Sequence, residues 1–352
     1  MDKLKGKKST ITDVAKLAGA SVTTVSRVLN DVDYPVSNEL RQKVKEAAEM
    51  VNYVPNAIAR SLKGNTNTFQ DVGIVIPNVS NPFYLQTLLG INRVSFDNRF
   101  NLILCNTMRL VEKEREFLRM LYERNVGGVI ISSIDNDSNV IQEYIRKGMK
   151  FVLLDQRMDI ANCSCINFDS AKGAEMAVQY LISQGHRNIA FATTPITRWT
   201  RKEIFRGYKE ALQSANIIYS EELLYVSGRE LDNDESDYEL SSGRVLAKQF
   251  IENRHGATAV LCINDMVAFG FIQTLYEHGI KVPEDVSVVG FDDIPFAETF
   301  IPPLTTVRYP SNETGRLAAM MLFNNMQSDN GSLALDMNLV PRLMVRGTVR
   351  PL

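Results

Sequence analysis

The sequence predicts an α/β protein with a small helical head followed by a larger, two-lobed body of parallel sheets covered by helices. Three observations support this prediction. Residues 10–30 have the pattern of two short helices joined by a tight turn. From Asp71 onward, short β-rich runs alternate with amphipathic helical stretches. Residues 1–64 contain 11 Lys and Arg against 7 Asp and Glu, whereas the remaining chain contains 28 against 34, so the head is basic and the body acidic.

The first helix of the head is predicted to begin at Thr12, a residue type that caps helices, with Asp13 in the first turn, where the helix dipole favours an acid. Gly19 is expected to end it, because glycine tolerates a left-handed backbone. The apolar residues that recur at helical spacing, and that should form its inner face, are Val14, Leu17 and Ala18.

A second helix is expected to start at Ser21, with Val25, Val28 and Leu29 facing inward. Short residues then lie on the outer side of its N-terminal end, where a helix-turn-helix enters the major groove. Arg27 is the natural base reader, because its fork can bond guanine O6 and N7 together. Ser21 and Thr12 would hold phosphates. An ordinary helical hairpin is the alternative interpretation of this stretch.

Ser37 is predicted to cap a third helix, roughly Asn38 to Asn52, that completes the head. A further helix of about two turns is expected between Pro55 and Gly64. Such a short helix is not stable alone in water, so it should form only against a partner.

Composition argues against several classes of protein. The four cysteines are scattered and are predicted to be buried thiols in a reducing compartment. With only three histidines, we expect no metal site. We see no signal peptide and no membrane-spanning run, which predicts a soluble, cytoplasmic protein without a membrane partner.

The body is predicted to hold two parallel sheets, divided near residues 160–165, with a small-molecule site at their carboxyl edges. The predicted strands are 72–76, 101–105, 128–131, 151–154, 189–192, 259–263 and 286–290. The predicted helices are 112–125, 138–147, 171–184, 204–215, 241–253 and 266–278. No Walker, GxGxxG, HExxH or GxSxG motif is present, so the body is expected to be a ligand sensor rather than an enzyme.

Several motifs together make the chain resemble the lactose-repressor and galactose-repressor (LacI/GalR) family of bacterial transcription factors. They are TITDVAKLAGASVTTVSRVLN, YVPNAIARSLKG, VGIVIPNVSNPFY, GHRNIAF, RGYKEAL, INDMVAFG, VPEDVSVVGFDD and PPLTTV, in the family's order and spacing. The resemblance spans roughly Thr10 to Pro351. It implies a helix-turn-helix head at 1–54, a hinge helix and linker at 55–70, and an effector-binding, dimerising body at 71–352 that is like a periplasmic binding protein.

The resemblance also implies which residues meet double-stranded DNA. Three of them would read bases, namely Val22, Thr23 and Arg27. Six fall on phosphate-contact or supporting positions, namely Thr12, Ser21, Asn30, Ser37, Tyr53 and Asn56. Leu62 would wedge into a central CG step of the minor groove beside Lys63, which agrees with the way inserted apolar side chains kink flexible steps. The alternative for Leu62 is a core residue of a marginal helix.

For the effector site, the family's positions map only in part. The candidates are Asn81, Phe83, Asp155, Arg198, Trp199, Asn264, Asp265 and Asp292. Carboxylates and amides suit sugar hydroxyls, but Asn81 and Asp265 could equally be helix caps. Many members carry an arginine where this chain has Ile204, so the effector's identity does not transfer.

The expected protein is therefore a homodimeric repressor of a carbohydrate-utilisation operon, with a palindromic operator and a small-molecule effector, a sugar or sugar phosphate, and without a bound cofactor. Three alternatives remain open at this point. The co-repressor could be a phosphorylated carrier protein. The chain could be a cytoplasmic or exported sugar-binding protein without a regulatory role, or an α/β enzyme with a helical appendage.

Overall fold

The computed structural model describes residues 9–30, 34–53, 70–158, 160–228, 237–327 and 334–352. The chain divides into two compact units, Met1–Phe69 and Gln70–Leu352. Three predicted DNA-contact residues of the hinge segment, Asn56, Leu62 and Lys63, lie outside the described residues.

The described residues of the first unit form three helices, α1 (Ile11–Ala18), α2 (Val22–Leu29) and α3 (Asn38–Met50). Their apolar faces meet in a small core formed by Val14, Ala15, Ala18, Val25, Val28, Val44, Ala47 and Ala48. Gly19 ends α1 with φ +64°, and the side chains of Ser21 and Ser37 cap α2 and α3. These three helix boundaries confirm the sequence prediction.

Two predictions about α1 were wrong. Thr10 caps the helix in place of Thr12, because its N–H and its hydroxyl both donate to the Asp13 carboxylate, at 2.9 and 2.7 Å. Leu17 is 57% exposed, since the packed face of α1 runs through Ala15 instead.

The body contains two six-stranded sheets, one in each lobe. In lobe one the order is β2–β1–β3–β4–β5–β11, with all strands parallel. Its strands are β1 (Gln70–Ile76), β2 (Phe100–Asn106), β3 (Gly128–Ile131), β4 (Lys150–Leu154), β5 (Ser164–Phe168) and β11 (Asp336–Leu339).

In lobe two the order is β7–β6–β8–β9–β10–β12, and only β12 runs antiparallel to its neighbour among the described strands. Its strands are β6 (Ile189–Thr193), β7 (Leu224–Val226), β8 (Ala259–Cys262), β9 (Ser287–Asp292), β10 (Thr305–Arg308) and β12 (Arg342–Met344). Almost every residue of β6, β8 and β9 is buried, as expected for strands covered on both faces.

Four helices belong to lobe one, α4 (Pro82–Asp97), α5 (Val111–Glu123), α6 (Ser138–Arg146) and α12 (Ser311–Gln327). Five belong to lobe two, α7 (Ser170–Ser183), α8 (Trp199–Ser214), α9 (Tyr238–Glu252), α10 (Asp265–Glu277) and the short α11 (Phe296–Thr299). A 3₁₀ turn at Glu221–Leu223 precedes β7. No helix within these described ranges has the length and apolar character needed to cross a membrane.

The predicted division between the lobes at 160–165 was wrong. β5 still belongs to lobe one, and the chain crosses to lobe two at Asp169, between β5 and α7. It returns at residues 309–310, between β10 and α12, and crosses again at 340–341, between β11 and β12. The two lobes are thus joined by three segments, and Tyr309 lies in the second of them.

The four cysteines are buried free thiols, as the sequence predicts. Cys163 and Cys165 flank Ser164 at the start of β5, Cys105 lies in β2, and Cys262 ends β8.

Candidate functional sites in the head and the inter-lobe cavity

The N-terminal end of α2 presents short side chains to solvent. Val22 is 43% exposed and Thr23 is exposed beside it. Ser21 accepts a hydrogen bond from the Thr24 N–H at 3.1 Å, which fixes the start of the helix. Further along α2, the guanidinium of Arg27 lies over the ring of Tyr34, 4.2 Å from its centroid. The three predicted base-reading residues therefore share one helix.

The other predicted head residues lie at helix ends. Thr12 is exposed in the first turn of α1. Asn30 ends α2, and its amide donates to the Ser26 carbonyl at 2.6 Å. Ser37 caps α3, accepting from the Leu40 N–H at 3.3 Å. Tyr53 packs partly buried against the head core. Each of these positions is consistent with contact to a DNA backbone, and none involves the inside of the core.

A small cavity of about 80 Å³ lies between the lobes, at the carboxyl ends of the strands. It is lined by Pro77, Asn81, Phe83, Tyr84, Arg109, Asp155, Arg198, Thr200, Arg201, Ile204, Glu239, Ile263, Asn264, Phe291, Asp292 and Tyr309. Ligand pockets usually enclose roughly 300–1,000 Å³. The cavity in this structure is therefore smaller than a typical ligand pocket.

Asp155 links the two lobes across this cavity. It follows β4 with φ +55°, and its carboxylate accepts a hydrogen bond from the Tyr309 hydroxyl at 3.1 Å. The Thr200 hydroxyl of lobe two lies 3.2 Å from the Asp155 backbone carbonyl and donates to it. Burial raises the pKa of Asp155 to about 7, although the Tyr309 hydrogen bond and the Arg198 charge oppose the rise. Asp155 can therefore accept hydrogen bonds from a ligand or change its charge near neutral pH.

Asp292 ends β9 with φ +115°, a backbone conformation that costs energy for any residue except glycine. Burial, together with the negative charges of Asp265, Asp155 and Glu239, raises its pKa well above the usual range. Asp292 lines the cavity, so its carboxyl group can exchange hydrogen bonds with the hydroxyls of a ligand.

Asp265 does not line the cavity, unlike the other acidic candidates. Its side chain is fully buried, and its two oxygens accept from the Thr306 hydroxyl at 2.5 Å and the Ile294 N–H at 2.8 Å. Burial raises its pKa to about 7. Because both oxygens are occupied within lobe two, the structure gives Asp265 a supporting position behind the site. The alternative that Asp265 caps the helix was wrong, because Asn264 is the cap.

Asn81 and Asn264 both line the cavity and both cap helices. The side-chain oxygen of Asn81 accepts from the Phe83 N–H at 2.9 Å, and that of Asn264 accepts from the Val267 N–H at 2.8 Å. The amide nitrogen of each side chain is the group left to meet a ligand. Phe83 is nearly buried and packs edge-on against Tyr84 and Tyr309.

The start of α8 contributes two arginines to the cavity but not the tryptophan. Arg198 and Arg201 line the cavity, and Arg201 also donates to the Pro195 carbonyl at 2.9 Å. Ile204, where the sequence departs from the expected arginine, also lines the cavity. Trp199 begins α8 half-buried and does not line the cavity, so the structure does not bring it together with the other effector candidates.

Sequence reasoning missed several residues that build this site, among them Tyr84, Arg109, Thr200, Glu239 and Tyr309. Glu239 of α9 accepts from the Asn78 amide of lobe one at 2.7 Å, so it bridges the lobes. The Arg109 guanidinium lies 3.9 Å from the ring centroid of Tyr238. Tyr84 belongs to the same SNPFY motif as Phe83, so the sequence could have predicted it. The other missed residues come from segments without a motif.

Comparison with known proteins agrees with both parts of the chain. Residues 10–56 match the model of bacterial regulatory proteins of the lacI family, and residues 178–349 match that of the periplasmic binding protein-like domain. The HTH-type transcriptional repressor PurR of Vibrio atlanticus is 34% identical over 346 residues, which are 98% of this chain and 99% of the relative.

Two solved structures are similar over nearly the whole chain. The lac repressor dimer bound to operator and the anti-inducer ONPF has a TM-score of 0.77 and 25% identity, covering 98% of this chain and 100% of that one. The complex of the transcriptional regulator CelR with cellobiose has a TM-score of 0.70 and 29% identity, covering 97% and 99%. The predicted fold and family are confirmed. The chain belongs to the lacI family of bacterial regulatory proteins and is a DNA-binding transcriptional repressor with an effector-binding domain, rather than an enzyme.

Proposed function

We propose that this repressor controls a carbohydrate-utilisation operon and that its effector is a sugar held between the lobes. The observation that carries the proposal is the cavity itself, where carboxylates and amide groups surround a space bounded by aromatic rings. Polar groups of this kind bond to hydroxyls, and ring faces pack against the apolar face of a sugar. The similarity to a cellobiose-bound regulator supports the same class of ligand.

The lining suits either a neutral sugar or a sugar phosphate. Three arginines, Arg109, Arg198 and Arg201, line the cavity with three acids, Asp155, Asp292 and Glu239. Because burial raises the pKa of Asp155 to about 7 and that of Asp292 well above its usual range, the acids do not cancel all of the positive charge, and a phosphate group could use the remainder.

For DNA binding, we propose that the protein is a cytoplasmic homodimer that binds a palindromic operator, with its two heads about one helical turn of DNA apart. Residues 1–54 form the head, 55–70 the hinge and linker, and 71–352 the body. Arg27 reads a base, Val22 and Thr23 contact thymine methyl groups, and the helix-end residues of the head hold phosphates. Leu62 and Lys63 enter the minor groove between the half-sites.

Selection of the purified full chain against random duplex DNA tests the DNA side of this proposal. We expect enrichment of a palindrome with a central CG step. Enrichment of a single half-site would contradict the dimer, and a palindrome without the CG step would contradict the wedge. If added cell extract, rather than a sugar, were required for enrichment, a protein co-repressor would replace the proposed effector.

The selected palindrome then serves as the probe for the effector. Neutral sugars, sugar phosphates and nucleobases are titrated into the protein–DNA complex, and both release and tightening are scored. We expect a sugar or a sugar phosphate to change operator affinity in the wild type and in Asp97→Asn, an exposed control, but not in Asp292→Ala. A response to nucleobases alone would overturn the carbohydrate assignment without affecting the DNA-binding one.

A further inference from the structure

The contact between Arg27 and Tyr34 joins two parts of the head. Arg27 lies in the last turn of α2, Tyr34 lies between α2 and α3, and 4.2 Å separate the guanidinium carbon from the ring centroid. We propose that Tyr34 is a positioning residue for DNA recognition, which orients Arg27 toward the base that Arg27 reads. This inference rests on the proposed base-reading role of Arg27 and adds a determinant of specificity outside the recognition helix.

Arg27 needs such a support because it is the only long side chain among the three proposed base readers. Val22 and Thr23 are short, so bidentate discrimination by this group depends on one guanidinium. A free arginine has many rotamers, and fixing one of them on binding costs affinity. A ring that holds the guanidinium in the unbound protein removes part of that cost in advance.

The geometry of the contact leaves Arg27 able to read a base while it is held. A cation–π contact is an electrostatic attraction to the face of a ring and consumes no N–H donor. The donors of the guanidinium therefore stay available for guanine O6 and N7. A salt bridge at the same place would instead have occupied them.

Tyr34 is itself fixed to the folded head. Pro35 follows it and restricts the Tyr34 backbone to extended conformations. Val36 then packs against the head core, and Ser37 caps α3. On the Arg27 side of the contact, the next residue of α2, Val28, is buried. Both partners of the contact are thus anchored by the same core, so Tyr34 defines a direction for Arg27 relative to α2.

The test compares the full-length wild type with Tyr34→Phe, Tyr34→Leu, Arg27→Ala and the double variant Arg27→Ala/Tyr34→Leu. Each protein is titrated with the palindrome selected by the wild type, with palindromes changed at one base pair at a time, and with non-specific DNA. Thermal unfolding of each variant is measured in parallel. The readout is the ratio of specific to non-specific affinity at each base pair, which a merely structural role would not move.

We expect Tyr34→Leu to lower this ratio about two- to fivefold per head, the factor expected for one exposed cation–π contact. The loss should appear at the same base pair whose preference disappears in Arg27→Ala. Tyr34→Phe, which keeps the ring face, should retain the wild-type ratio. The double variant should be no less specific than Arg27→Ala alone, because Tyr34 acts through Arg27.

Equal losses of specific and non-specific affinity in Tyr34→Leu would overturn the proposal, as would additive losses in the double variant. A higher specific affinity in Tyr34→Leu would also overturn it, since it would show that the ring withdraws Arg27 from DNA. Failure of the underlying function looks different: Arg27→Ala would then keep every base preference of the wild type.

Discussion

Short polar side chains at helix ends have two roles in this chain, helix capping and proposed binding. Ser21 and Ser37 cap helices on the surface proposed to meet DNA, while Asn81 and Asn264 cap helices at the edge of the inter-lobe cavity. In each case the side-chain oxygen accepts a hydrogen bond from a backbone N–H in the first turn of the helix. Alanine substitutions at these four positions will therefore change stability together with binding.

Thr10 and Thr12 separate these two effects. Thr10→Ala should lower the free energy of unfolding of the head by about 1 kcal/mol, because it removes a capping interaction with Asp13. Thr12→Ala should leave stability nearly unchanged and weaken DNA binding, because Thr12 is exposed and proposed to hold a phosphate. Thermal unfolding and operator titration of both variants check this. A larger loss of stability in Thr12→Ala would restore Thr12 as the cap.

Asp265 should make the stability of the body depend on pH. Its pKa is raised to about 7 when folded, against about 3.9 when unfolded. The folded state therefore holds the proton more tightly, so the stabilisation is complete below about pH 4 and is lost as the pH rises through 7. Between pH 5 and pH 8, urea unfolding should show a steeper fall of stability in the wild type than in Asp265→Asn. Parallel profiles would contradict this assignment.

At the scale of single residues, the sequence predicted those site positions that lie within a motif. Asn81 and Phe83 of SNPFY, Asn264 of IND and Asp292 of GFDD all reach the cavity lining. Residues that reach the cavity only through tertiary structure could not be predicted from the local sequence. Glu239 lies 161 positions from its partner Asn78, and no local pattern reports such a pairing. Asp265 shares a motif with Asn264 but points away from the cavity, because its neighbour in sequence takes the cap.

Close packing of helix pairs is the main feature at the scale of elements. α4 packs on α12, α7 on α8, and α9 on α10, and in each pair a glycine lets one backbone approach the other. A β-carbon built at Gly207 would lie 2.0 Å from the Ala171 carbonyl oxygen, and one built at Gly270 would lie 2.0 Å from that of Leu240. Backbone atoms cannot give way as a flexible side chain can, so these positions admit only glycine.

Gly90→Ala tests this packing in α4. The added methyl carbon would lie 1.9 Å from the Asn312 backbone oxygen of α12. We expect a loss of about 1–3 kcal/mol in the free energy of unfolding, the usual cost of overpacking. Asn92→Ala on the exposed face of the same helix is the control and should be neutral or slightly stabilising. Equal stability of the two variants would show that the helices can shift apart freely.

These packing arrangements also explain which elements the sequence did not reveal. The predicted strands β1 to β4, β6, β8 and β9 are continuous apolar runs, typical of buried parallel strands. Five strands were missed. β7, β11 and β12 are short edge strands with polar or exposed residues, which lack that run. β5 and β10 are interior strands, but polar residues such as Asn167, Thr305 and Thr306 interrupt their apolar pattern. α4 was missed because it is apolar on two sides: Ile91 is buried, while Leu89 and Phe96 are 56% and 77% exposed.

For the whole molecule, the important contacts are those that hold the lobes together around the cavity. Asn78 and Glu239 join them on one side, and Asp155 with Thr200 joins them near the connecting segments. A ligand can shift the balance between closed and open lobes only by binding one of them more tightly. The strength of these contacts therefore sets how much of the effector's binding energy is available for regulation.

Asn78→Asp should weaken effector binding through Glu239, although Asn78 itself does not line the cavity. The new carboxylate keeps the oxygen that accepts from the Ser80 N–H, but it loses the donor to Glu239 and repels it. Loss of a hydrogen bond to a charged group corresponds to an affinity about tenfold lower or more, if the closed lobes hold the ligand. Calorimetric titration of the effector measures this, with Ser80→Ala as the control. Unchanged affinity would show that the bond does not contribute to closure.

The third connection between the lobes has a consequence for the synthesis of the protein. β11 adds the last strand to the sheet of lobe one and β12 adds the last strand to that of lobe two, and only residues 340–341 separate them. The Thr348 hydroxyl then donates to the Val288 carbonyl and accepts from the Thr305 N–H, which ties the final segment into lobe two. On the ribosome, β5 and β10 therefore lack these neighbouring strands until this short segment emerges, and both sheets gain their last strand in the same event.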